Sequence, residues 1–223
     1  MKKWISILTA MILVLSMTTA FAAGVPSKTT TTTTTISTIA GASGQTLPDK
    51  FGLTVVPDTA MTADVIEDMY EFVSEGGTLI DYFEPEVQND ILAHLNANKP
   101  ATEALTLDDL KDYEINEVVS VDAVNYEEGM DDVVVNFDFA TPYEPGQKLI
   151  AILDCFNGER VEVAPNEFEW VSDKYILDAE VVEVEVDGKT ENQVAVTFTE
   201  EALRAMNDSV ANTLSILSEP LNA

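Results

Sequence analysis

One histidine, one cysteine and forty carboxylates set the chemistry open to this chain. Histidine is the usual general base near neutral pH. Any Ser-His-Asp or Cys-His arrangement must therefore use His94. It lies at the edge of a helical apolar stripe, where a partly exposed structural side chain is the simpler reading. Cys155 directly follows an apolar run and reads as a small buried hydrophobe. A lone cysteine closes no internal disulfide. With a lone histidine it makes no ordinary zinc site. Ser43 sits in Gly-Ala-Ser-Gly, which lacks the G-x-S-x-G nucleophile elbow, and no glycine-rich phosphate loop is present.

The carboxylates are the exception because they are everywhere. A pair of them is all a glycosidase strictly needs. Among forty, such a pair carries almost no specificity. Glu127, Glu128, Asp131 and Asp132 surround Gly129 between two strands and are the candidate oxygen ligands for Ca²⁺. Their spacing does not follow the EF-hand loop. A solvated acidic turn is favoured, and no cofactor is expected. Tyr143, Trp170 and Tyr175, with Phe168 nearby, are the candidate binding residues. Exposed together they would stack on sugar rings or a protein partner; buried in strands they would be core.

The elements that must position these residues divide the chain at about Tyr113. From there on the hydrophobic period is two. Val133, Val135, Phe137 and Phe139 alternate with Val134, Asn136 and Asp138, giving a strand with one apolar face. Leu149, Ile150, Ala151, Ile152 and Leu153 run without alternation, which suits a strand covered on both faces. Pro142, Pro145 and Gly146 break the stretch between them. That connection is long for a tight hairpin and is able to carry the chain to another sheet. Further strands are expected at 115–124, 160–163, 168–171, 175–186, 194–198 and 213–217. A phase slip at Val181 and Val182 marks a bulge or a sheet crossing. Asp187-Gly188 suits a two-residue hairpin, and Thr199 caps a short helix. About eight closely spaced strands in roughly 110 residues predict an Ig-like antiparallel β-sandwich over 113–223. The fold class is mainly β with a small α part.

Before that point the period is helical. A strand at 51–56 precedes a helix capped by Thr62, with Ile66, Met69, Tyr70 and Val73 on one face and a Gly76-Gly77 stop. A second helix opens at Pro85, with Val87, Ile91 and Leu95 as its stripe. A single turn follows at 106–111. This segment, 48–112, is small for independent stability and is expected to pack on the sandwich.

Lys2 and Lys3, an apolar run over 5–17 and the Ala20, Phe21, Ala22 box predict a signal peptide over 1–22. Residues 23–47 contain an unbroken threonine run and read as a disordered spacer. The formal charge of −29 repels phosphates and anionic lipid, so neither nucleic acid nor membrane insertion of the mature chain is expected. With 46% apolar residues the chain has material for a core.

The leader, the threonine tract, FATPYEPGQ, the Val/Glu strand with its Asp-Gly turn and the closing LSILSEP resemble small secreted proteins of Gram-positive type that have no assigned function. The resemblance covers most of the mature chain. It implies an extracellular setting and carries over no site residues. The expected role is that of a secreted, non-catalytic β-sandwich protein at the cell surface without a covalent anchor. Its partner is a protein or a glycan. The alternative is a hydrolase using a carboxylate pair.

Overall fold

The computed structural model describes residues 34–219, apart from Asn98, Asn166 and Asp187. The leader expected over 1–22 lies outside the described residues, as do 23–33 of the expected spacer. The rest of that spacer is a correction. Thr35–Gly41 form strand β1, paired antiparallel with β4 (Val133–Asp138). Threonine and isoleucine are β-branched and suit a pleated strand. Ile36 and Ile39 pack against the inner core, so this stretch has apolar surface to bury after all.

The remaining strands are β2 (Gly52–Val55), β3 (Glu114–Val124), β5 (Leu149–Ala164), β6 (Glu167–Val186), β7 (Lys189–Phe198) and β8 (Ala211–Ser218). They form one eight-stranded antiparallel sheet in the order β1-β4-β7-β6-β5-β8-β3-β2. The sheet curls until its two edge strands, β1 and β2, touch. β6 makes the turn possible. It pairs with β5 as far as Leu177 and with β7 from Asp178 onward. That crossing lies a few residues before the expected slip at Val181, and no bulge occurs there. β4 and β5 are not neighbours, so the proline-rich connection carries the chain from one half of the sheet to the other.

The alternation of β4 holds. Val133, Val135 and Phe137 are fully buried, and Val134, Asn136 and Asp138 are half-buried. They join Val194, Val196 and Phe198 of β7 and Leu214 and Ile216 of β8 in the inner core. The unbroken apolar run of β5 is covered on both faces. Leu149, Ala151 and Leu153 point into that core, while Ile150 and Ile152 point outward into a second one.

The second core is made by helices α1 (Ala60–Ser74), α2 (Leu79–Tyr82) and α3 (Pro85–Asn96) and a 3-10 turn at Leu107–Leu110. The expected stripes of α1 and α3 supply it, with Met69 and Ile91 fully buried. α1 starts earlier than expected, at Thr59, whose hydroxyl accepts from the Thr62 amide in a capping box. It stops as expected. The Gly76 amide donates to the Val73 carbonyl and the Gly77 amide to that of Phe72, a Schellman motif that places Gly76 at φ +96°. Helix α4 (Glu200–Asp208), capped by Thr199, closes one end of the inner core through Ala202, Leu203 and Met206. Among the described residues no helix is long and apolar enough to cross a membrane.

Candidate functional site

β5 and β6 outrun their neighbours and leave a two-stranded arm. β8 stops pairing with β5 at Phe156, and β7 reaches β6 only at Asp178. Within the arm Arg160 pairs with Trp170, Val161 with Glu169 and Glu162 with Phe168. The register shifts between Phe156 and Arg160, where Gly158 takes φ +85° and the Asn157 side-chain oxygen accepts from the Glu159 amide at 2.8 Å. A Cβ at Gly158 would stand 3.3 Å from Val210, so the turn before β8 lies close against the base of the arm.

The arm gathers exposed apolar surface. Val161, Val163 and Phe168 are each about half exposed (49, 50 and 49%), and Val210 at the base is 63% exposed. Val124 at the end of β3, at 40%, completes the large exposed hydrophobics among the described residues. Residues paired across an antiparallel ribbon share a face. One face therefore carries Val161 and Glu169, and the other Arg160, Trp170 and Phe168; a second register shift, between Glu162 and Ala164, falls at Val163. On the Trp170 face the Arg160 guanidinium stacks 4.5 Å over Trp170 and 5.9 Å from Phe168. Its charge reaches α1. The Asp68 carboxyl is pushed above its usual range by partial burial and by Asp64 and Glu67, and Arg160 opposes that shift.

A polar row crosses the helix-facing side of the sheet below the arm. Ser120, Thr213, Asp154 and Lys174 are successive partners on β3, β8, β5 and β6. Asp154 is 3% exposed, and its carboxylate lies 3.1 Å from the Lys174 ammonium. The Ser172 hydroxyl donates to Asp154 at 3.1 Å and accepts from Lys174 at 2.8 Å. Ser120 donates to Asp58 at 2.7 Å, under the start of α1. Tyr82, held above its ordinary phenol value chiefly by burial and then by Asp154, borders the row. A lysine beside a serine acts as a general base only when neutral. Here the lysine nitrogen is paired with a buried carboxylate, and the serine oxygen accepts from that nitrogen while its own proton goes to Asp154. The cluster is a paired internal charge, suited to fixing β5 against β6.

The expected binding aromatics do not meet. Tyr143 is 3% exposed, stacked edge-on against Phe139 at 6.0 Å within the inner core. It is a core residue because the β4–β5 connection folds it inward, which corrects its assignment as a contact. Trp170 and Tyr175 lie five residues apart on β6 and so face opposite sides. Trp170 belongs to the arm. Tyr175 lines a depression of about 240 Å³ with Cys155, Asp173, Glu201 and Arg204. Glu127, Glu128 and Asp131 border a depression of about 160 Å³. Asp131 accepts from the Ser43 hydroxyl at 2.8 Å, and Asp132 accepts from the Glu200 amide at 3.0 Å, at the first residue of α4. Among the described residues no group of three His, Cys, Asp or Glu side chains is placed to hold a metal.

His94 pairs with Asp178 at 3.1 Å and ties α3 to β6. Cys155 is buried, and desolvation pushes its thiol up to about 12. Two features escaped the sequence reading. The arm was legible only as separate short strands, since nothing local in 157–171 shows that β8 and β7 fall short of it. Asp154 did leave a signal, as a lone acid directly following an apolar run. No family model, curated protein or solved structure matches the chain.

Proposed function

We propose that this chain is a secreted, non-catalytic binding protein of the cell surface, and that the β5–β6 arm is its contact with a partner. The observation that carries this reading is the concentration of exposed apolar side chains there. Val161, Val163 and Phe168 sit on one projecting ribbon with Val210 at its base. Large apolar groups gathered in one place on a strongly charged surface mark an interaction site. The body behind the arm is well suited to hold it, because β5 and β6 are clamped in two cores and by the Asp154–Lys174 pair. The Ig-like sandwich is our reading of the two halves of this one eight-stranded sheet, joined through β6. The extracellular setting rests on the leader and threonine tract in the sequence.

A hydrolase would need two carboxyl groups facing one another across a cleft. The polar row supplies one buried carboxylate, already paired. The test is binding of the secreted protein to envelopes of the source cell. The triple variant Val161→Asp, Val163→Asp, Phe168→Asp should lose about tenfold or more of its affinity, as removal of anchoring side chains does. Its melting temperature should stay close to that of the parent. Undiminished binding by a folded triple variant would refute the arm as the contact.

A further inference from the structure

The arm leaves a strand edge open. β5 beyond Phe156 has β6 on one side, and among the described residues no strand lies on the other. Such an edge is a template for another extended chain. Edge strands are usually blunted by a lysine, a proline, a bulge or a charge turned inward; the arm has register shifts at 156–160 and 162–164, and its regular edge is the stretch 160–162 between them. Here the edge carries Val161 and Val163, each about half exposed (49 and 50%). The one cation of this part of β5, Arg160, is turned to the opposite face and stacked on Trp170.

Charge selects the occupant. Glu169 pairs with Val161 and shares its face, Glu159 stands two residues before Val161 at the register shift, and the whole chain carries −29. A second copy would set these glutamates against their own kind and bring the same negative field. An extended segment with Lys or Arg alternating with apolar residues is complementary at each position. We propose that the arm receives such a basic segment of a partner protein by strand addition along β5. Apolar side chains lie on Val161 and Val163, cations lie beside Glu159 and Glu169, and main-chain hydrogen bonds run along the open edge. This inference rests on the arm being the binding surface.

Trp170, under Arg160, is the reporter; the second tryptophan, Trp4, lies in the expected leader. The probes are an alternating Lys-Val octapeptide, the same peptide N-methylated at every second residue, and a block peptide of equal composition. The alternating peptide should change the Trp170 emission and bind about tenfold tighter than the N-methylated one, which lacks the N–H groups of one edge. Added salt should weaken it. Val161→Lys with Val163→Lys should abolish its binding without changing the melting temperature. Equal affinity for all three peptides reduces the effect to bulk charge and overturns strand addition. It leaves the arm's role to be judged by the aspartate variant above. Binding unchanged in the double lysine variant places the peptide elsewhere and overturns the inference. So does an arm-dependent dimer in the absence of peptide, because the edge then serves a second copy.

Discussion

At the scale of single residues, burial decides chemistry. Asp154 is 3% exposed and its partner Lys174 still largely covered, so the pair is stabilising only while both members are present. Lys174→Met strands a buried carboxylate and should cost about 3 kcal/mol in urea denaturation. Adding Asp154→Leu should recover most of that loss, since the pair sits between apolar rows. Burial also sets the alkaline limit. Cys155, Tyr70 and Tyr113 are each pushed up to about 12, by desolvation first in every case. In the unfolded chain they ionise from their ordinary values of 9.0 and 10.0. Above pH 9 the unfolded state therefore binds fewer protons than the folded one. Stability present below pH 9 should fall as pH rises towards 12. Urea midpoints across that window, with tyrosinate absorbance in native and denatured protein, check it. The same residue scale explains the aromatics. Nothing in their types separates Tyr143, folded into the core, from Trp170 on the arm; only the path of the β4–β5 connection does.

At the scale of elements, a strand with one buried face was legible because a one-residue slip would put its whole apolar set into water. β4 shows this, with Val135 fully buried and Asn136 half-buried. Val135→Asp should destabilise the fold by several kcal/mol while Asn136→Asp is tolerated, and thermal melts separate them. Similar melting temperatures would contradict the register. The end of α1 was legible too, through its glycines. Gly77→Ala would put a Cβ 2.3 Å from the Phe72 ring, so that variant should lower the melting temperature markedly. β1 was not legible, because its threonine-rich composition hides the two isoleucines that reach the core. The arm was not legible either. Its open edge comes from where two other strands stop, and that is a property of the sheet, not of 157–171.

At the scale of the whole molecule, −29 spread over 223 residues opposes compaction by mutual repulsion. Sodium chloride should raise the melting temperature by screening it. Calcium chloride at matched ionic strength should add nothing further, since Asp131 and Asp132 are engaged by Ser43 and Glu200. A calcium-specific rise lost in Asp131→Asn with Asp132→Asn would restore the loop as a metal site. The same field, with the apolar arm projecting from it, frames the central claim that the arm is where the protein meets its partner. Amide hydrogen exchange with and without source-cell envelopes tests that claim most directly. The account predicts slowed exchange confined to 159–164 and 168–170. Protection elsewhere with the arm unchanged would contradict it.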